Sequence, residues 1–248
     1  MRTEFEETAH PRAADGSGGP AAPLLLSVRE GYRRWAPVYD EFPNPLLALE
    51  QRAVLPSLPE IAERRVLDLG CGTGRWSRVL AGKRPACLVA VDISDAMLRE
   101  ASQKRAAASG LLIQADCSLL PLADHTFDLG ICSFAVGHMS ALDGMAQECA
   151  RVLRPGAALF VSDLHPAAYR AGWRTCFRDS CGRAEIATVR RGLSEILAPF
   201  STAGLRCAAV EEVRFGEEER GIFRSAGKDG YFREASSIPA VVVCRFIA

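Results

Sequence analysis

The chain has 248 residues, a length that suits one or two domains and can bury a full core without disulfide or metal staples. Lysine plus arginine number 30 and aspartate plus glutamate number 30, so the formal charge is zero. That balance argues against a general polyanion binder, whose affinity comes from excess basic side chains on phosphates, and so predicts no nucleic-acid partner.

Residues 1–23 are rich in Ala, Gly, Pro and charge, lack apolar periodicity and read as a disordered tail that includes His10. Ordered structure is expected from near Ser27, where Val28, Tyr32, Trp35 and Tyr39 recur at steps of four, three and four on one helical face. A second helical segment follows, with Pro45 near its start and Pro56 near its end. Together these give an N-terminal helical cap over 24–60, ahead of a main domain over 61–248.

From Arg65 short apolar runs alternate with helical segments. The runs are 65–70, 87–92, 111–116, 127–133 and 157–163; the helices are 75–82, 95–108 and 141–153. Such alternation predicts an α/β fold, a parallel sheet with helices on both faces. After Asp163 the alternation breaks. Residues 166–191 read as irregular and Arg-rich, 192–203 as a helix and 206–215 as a strand. A polar, Gly-containing loop follows, and 238–248 closes the chain as a buried strand. The nine cysteines are scattered, and several, such as Cys132 in "LGICSF" and Cys244 in "VVVCRF", read as small buried hydrophobes. No CxxC pair and no Cys/His cluster predicts a metal site. The N-terminus lacks an apolar signal core and no run reaches the roughly 18 residues of a membrane span, so a cytoplasmic protein with reduced thiols and no membrane contact is expected.

The first predicted strand runs into "DLGCGTG": Asp68, Gly70, Cys71, Gly72, Thr73 and Gly74. A Gly-rich turn between strand and helix lets a ligand approach the backbone closely; the bland alternative is a tight turn without a ligand. A dinucleotide fingerprint spaces its glycines G-x-G-x-x-G, whereas here the third comes one residue early. No G-K-[ST] follows, which excludes a P-loop. A carboxylate beside the loop, Asp68, is wrong for a pyrophosphate and suits a cationic ligand.

"VLDLGCGTG" resembles the first motif of the S-adenosylmethionine-dependent methyltransferases with a Rossmann-like fold, in their small-molecule branch of type 11. "VAVDISDAML" (89–98), the block 114–139 and "ARVLRPGAALFVSD" (150–163) resemble the motifs that follow in that family, so the likeness is dense over 61–165. The resemblance implies a mostly parallel seven-stranded sheet with an antiparallel last strand, and S-adenosyl-L-methionine as cofactor. It assigns ribose contacts to Asp92, at the end of the second strand, and adenine contacts to Asp116 and the backbone N–H of Cys117. Asp68, Gly70, Cys71, Gly72 and Gly74 would face the methionine moiety and ribose, with Ile93, Met97 and Ser133 completing the cofactor wall. A Met at helical spacing, such as Met97, is more often plain core. Family members often fold a "YD" pair over the cofactor, which Tyr39-Asp40 matches; the same aromatic stripe also suits a helix simply packed on the sheet.

Methyl transfer is an in-line displacement in which the protein aligns donor and nucleophile and excludes water. The chain "ICSFAVGHM" after the fourth strand lacks the Pro-Pro aromatic motif of the amino-methylating DNA and protein branch, which favours a small organic acceptor. His138 and His165 follow the fourth and fifth strands, neighbours about 4.8 Å apart in this family's strand order, and are the candidate bases, with His165 preferred at the mouth of a substrate lid over 166–191. The arginines of that segment, Arg170, Arg174, Arg178, Arg183, Arg190 and Arg191, suit either an acidic acceptor or a solvated surface. Two other readings stand beside methylation: a cyclase or decarboxylase on the same fold and cofactor, and a non-catalytic partner subunit. Nothing in the sequence sets the oligomeric state.

Overall fold

The computed structural model of the chain describes residues 22–104 and 110–248. The expected tail, up to residue 21 and including His10, lies outside the described residues, as does the end of the helix expected over 95–108.

The described chain opens on a strand, β1 (Leu24–Leu26), and a helix, α1 (Val28–Trp35), whose N-cap Ser27 accepts from Glu30 N–H through its Oγ at 3.3 Å. The α-helix expected to carry Tyr39 stops at Trp35, because Pro37 has no N–H to continue the i to i−4 ladder; a 3-10 turn, Ala36–Val38, carries the chain on. Helix α2 (Pro45–Val54) starts with Asn44 as cap and Pro45 at its first position. Then come β2 (Arg65–Leu69), α3 (Arg75–Ala81), β3 (Cys87–Asp92), α4 (Asp95–Gln103), β4 (Leu111–Gln114), β5 (Phe127–Ser133), α5 (Asp143–Val152) and β6 (Leu153–Leu164). The last third holds α6 (Pro166–Arg170), β7 (Cys176–Asp179), β8 (Gly182–Ile186), α7 (Leu193–Thr202), β9 (Arg206–Val213), α8 (Glu217–Ser225), α9 (Asp229–Ser237) and β10 (Val241–Ile247).

Seven strands form one sheet in the order β4-β3-β2-β5-β6-β10-β9, with β10 antiparallel to both neighbours and the first five strands mutually parallel. Strand side chains alternate between faces. In β10, Val241 and Val243 join one core with Trp76, Leu129, Phe160 and Phe223. Val242, Cys244 and Phe246 join the other with Leu67, Val91, Met145 and Phe200. Cys132, Cys149 and Cys244 are fully buried there, as small hydrophobes.

Two segments depart from expectation. Residues 166–191 are a short helix and a β7–β8 hairpin, and β8 pairs in parallel with β1 to make a second, three-stranded sheet. Phe177, Ala184 and Ile186 form a small core there with Leu26, Tyr32 and Trp35 of the N-terminal segment. Arg34 clasps Asp179 through two bonds of 2.9 and 2.8 Å. The polar loop expected after β9 is the helix pair α8–α9. Glu219 caps α8 by accepting from Gly216 N–H at 2.9 Å, and Phe223 and Phe232 meet edge to face over the sheet, their centroids 5.4 Å apart.

Candidate functional site

The parallel strands place the ends of β2, β3, β5 and β6 along one edge of the sheet, where ligands of open α/β sheets bind. The turn from β2 into α3 is built on positive backbone angles: φ is +62° at Gly70, +54° at Gly72 and +81° at Gly74. A Cβ on Gly70 would stand 2.6 Å from that of Ala135, so the loop can approach the chain after β5 only through a glycine. The loop is pinned to β3, with Cys71 N–H donating to Val91 O at 3.0 Å.

Above this loop lies a cavity of about 350 Å³. Of the twelve residues assigned to cofactor binding, Tyr39, Asp68, Gly70, Cys71, Gly72, Asp92, Ile93, Met97, Asp116, Cys117 and Ser133 all line it. Gly74 does not; it forms the left-handed N-cap of α3 and sets the turn from behind. Asp92 accepts from Gly72 N–H and Ser94 N–H, each at 2.8 Å, which fixes its carboxylate at the cavity wall. Asp116 accepts from Ser118 N–H at 2.8 Å and its hydroxyl at 2.7 Å, both on Oδ1. Asp68 is buried and accepts from Ser77 Oγ at 2.6 Å; burial pushes its carboxyl up to about 6. Burial likewise holds the Cys117 thiol up at about 12, so it is an inert wall at neutral pH.

The cavity suits the cofactor implied by the family resemblance. Thr73 Oγ1, in the glycine loop, is buried with no hydrogen-bond partner among the described residues, the mark of a polar atom meant for a ligand. A Cβ at Gly72 would meet nothing within 4 Å, so the backbone there is open to the cavity.

A second cavity, about 130 Å³, adjoins the first and shares Tyr32, Tyr39, Leu47, Phe134 and His138 with it. Phe134 follows β5 with φ of +52°, a left-handed conformation that is costly for a bulky residue and is held by its N–H donating to Ser162 O at 2.8 Å. His138 stands at the junction. Ala187 O, 3.3 Å away, can only accept, so Nδ1 carries the hydrogen; Nε2 then accepts from the Tyr32 hydroxyl at 2.8 Å. Burial pushes the His138 imidazole below its usual range, so it is neutral at neutral pH.

His165 is not brought to the junction. It lines neither described cavity and serves as N-cap of α6, Nδ1 accepting from Ala167 N–H at 3.0 Å, while Nε2 lies 2.7 Å from the Glu212 carboxylate on β9. Pro166 at the helix start is what makes it a cap and turns it away. The expected arginine cluster also disperses. Arg191 donates to Val136, Met139 and Ser140 carbonyls and ties the hairpin segment to the loop after β5; Arg178 and Arg183 face each other across the hairpin.

Sequence reasoning missed three groups. Asp163, at the end of β6, is buried and accepts from Gly137 N–H and Leu164 N–H, each at 2.6 Å, with the Tyr169 hydroxyl also bonded to it. Its place at a strand end, like those of Asp92 and Asp116, was the available signal. Glu50 on α2 is fully buried and accepts from Arg75 at 2.7 Å, Trp76 Nε1 at 3.0 Å and Ser162 Oγ at 2.7 Å. Arg75 opens α3, where the helix dipole disfavours a cation, and the Glu50 charge offsets this while Arg75 donates to Ser133 Oγ at 2.7 Å in the cavity wall. A lone Glu among apolar helix neighbours gives no such hint in sequence.

Residues 66–156 match the methyltransferase domain family. Over 116 residues the chain is 41% identical to a malonyl-[acyl-carrier protein] O-methyltransferase of Methylococcus capsulatus, covering 44% of this chain and 42% of that one. Over 142 residues it is 38% identical to a ubiquinone/menaquinone biosynthesis C-methyltransferase of Syntrophotalea carbinolica, covering 54% of this chain and 60% of that one. The chain thus spans about half the length of the curated relatives it matches. The crystal structure of an S-adenosylmethionine-dependent methyltransferase from Mesorhizobium loti superimposes with a TM-score of 0.66 at 20% identity, covering 83% of this chain and all of that one, so the two share a fold.

Proposed function

We propose that this chain, which carries a methyltransferase domain in the Rossmann-like fold of the S-adenosylmethionine-dependent methyltransferases, transfers a methyl group from S-adenosyl-L-methionine to O, N or C of a small-molecule acceptor. The observation that carries the reading is the 350 Å³ cavity: eleven of the twelve residues assigned from the family motif line it, and it opens beside a smaller aromatic cavity with a neutral imidazole at the junction. When bound, the donor supplies an electrophilic methyl on a sulfonium whose leaving group is neutral.

The chain's own residues do the rest. Asp92 is fixed to hold the ribose hydroxyls, Asp116 and the Cys117 backbone the adenine, and Asp68 with the Gly70–Gly72 backbone the methionine end. Tyr32 and Tyr39 wall both cavities and exclude water. His138 is the group able to take a proton from an acceptor. Residues 24–60 act as a cap over the donor, tied down where Lys104 donates to Asp40 at 2.6 Å, and 166–191 as a lid over the acceptor. The balanced charge supports a small-molecule partner in place of nucleic acid. All nine cysteines are free thiols, which supports a reducing, cytoplasmic setting. No helix among the described residues is long and apolar enough to cross a membrane.

Titration calorimetry tests the reading. One S-adenosylmethionine site per chain is expected, with no competition from NAD. Asp92→Ala should weaken it by about 1.5–3 kcal/mol, the usual worth of hydrogen bonds to a charged group. Unchanged affinity in that variant removes Asp92 from the site, and tight NAD binding overturns the assignment.

A further inference from the structure

Resting on the methyl-transfer reading, the smaller cavity narrows the acceptor class. Its volume is about 130 Å³, close to the roughly 150 Å³ of a cavity that holds benzene. One six-membered ring fills a space of that size. Its walls are aromatic: Trp35 stacks on Phe177 with centroids 5.2 Å apart and planes within 8°, Tyr39 lies 4.7 Å from Trp35, and Phe134 and Tyr169 close the other sides. Flat rings are what such walls pack against.

The charges at the cavity are turned toward the protein's own groups, which disfavours two other ring acceptors. An ammonium needs a carboxylate, and the single carboxylate among the lining residues, Asp163, is already committed to Gly137 N–H, Leu164 N–H and the Tyr169 hydroxyl. An acidic acceptor needs a cation. Arg174, the lining guanidinium, donates Nη1 to Tyr169 O at 3.1 Å and Trp173 O at 2.7 Å, and lies 3.9 Å from the Glu185 carboxylate. What the polar end does offer is the Tyr32–His138 pair, in which the protein's own phenol donates to the imidazole at 2.8 Å. Nε2 has one lone pair and Tyr32 occupies it, so the imidazole is reached through the Tyr32 oxygen.

We propose that the acceptor is a single-ring phenol, and that Tyr32 and His138 together take its proton. The acceptor O–H bond breaks as its proton passes to Tyr32 Oη, and the Tyr32 proton passes to His138 Nε2, leaving a phenolate and an imidazolium beside the Asp163 charge. The phenolate oxygen then bonds the methyl carbon as the carbon–sulfur bond breaks, its electron pair staying on sulfur. The products are an aryl methyl ether and S-adenosylhomocysteine, and the imidazolium releases its proton to water.

The test uses the full chain and two readouts. Calorimetry of phenol, 2-naphthol, benzylamine and benzoate, with and without S-adenosylhomocysteine, should give one site that prefers phenol to the other three. Turnover is then followed by mass spectrometry of the methyl ether, with phenol and with 4-nitrophenol, which is largely ionised at pH 8 and needs no base. Tyr32→Phe and His138→Gln should each slow phenol methylation about 100-fold or more and slow 4-nitrophenol turnover at least about 10-fold less than that. Preferred binding of the bicycle, amine or carboxylate, or no phenol heat, overturns the proposal, as does equal slowing of both phenols in Tyr32→Phe. Failure to bind S-adenosylmethionine instead refutes the methyl-transfer reading, and the phenol titration without nucleoside still decides this one.

Discussion

Asp68 places a carboxyl where the sheet is driest and so couples stability to donor binding. It is 2% exposed, its hydrogen bond from Ser77 only partly offsets desolvation, and its carboxyl is raised from the usual 3.8 to about 6. The folded protein therefore holds this proton more tightly than the unfolded chain does. The stabilisation is present at pH below about 4 and is lost as the pH rises to about 6. Above that, the ionised group costs the fold up to about 3 kcal/mol, from 1.36 kcal/mol per pH unit over the interval. Asp68→Asn keeps the shape and removes the charge, so at pH 8 the donor-free variant should melt several degrees above the parent. At pH 5, midway through that interval, the gain should fall to about half. The same variant should lose donor affinity, and with it the rise in affinity expected of the parent between pH 5 and 7 as Asp68 ionises to meet a cationic ligand. Scanning calorimetry at both pH values and titration of S-adenosylhomocysteine read the two effects. A gain of equal size at pH 5 and pH 8, or none at pH 8, would refute the reasoning.

In the parent, kcat/KM should fall on the acid side with a midpoint below 6.5, because burial favours the neutral His138 that accepts a proton; a midpoint above 6.5 in the pH-rate profile assigns the base elsewhere. His165→Ala removes the α6 cap, so urea unfolding should show a loss of about 1 kcal/mol with turnover near the parent's, and a 100-fold drop in turnover would return His165 to the chemistry. Glu50→Ala strands the Arg75 guanidinium and the Trp76 indole, and denaturant midpoints should report a loss of about 3–5 kcal/mol; a loss under 1 kcal/mol contradicts the buried network.

The α/β alternation and the glycine loop were legible in the sequence because both are local. A buried parallel strand needs a short apolar run, and a left-handed turn needs glycine at Gly70, Gly72 and Gly74. The family motifs carried Asp92, Asp116 and Cys117 to the cavity wall for the same reason: each sits at or just after a strand end. The sequence misread 166–191 as irregular because β8 finds its partner in β1, some 160 residues earlier, and no local pattern announces a pairing so distant. It misread 216–237 because two nine-residue helices full of charge are stabilised by burying Phe223 and Phe232 on the sheet, not by their own propensity. Which histidine meets the cavities was likewise decided by tertiary structure. His138 and His165 both follow a strand at the ligand edge, and sequence distance treats them alike. Only the fold turns His165 toward Glu212 as a helix cap and brings Tyr32, from the far end of the chain, to within a hydrogen bond of His138. A contact that spans 106 residues exists only once the sheet has assembled between its two ends.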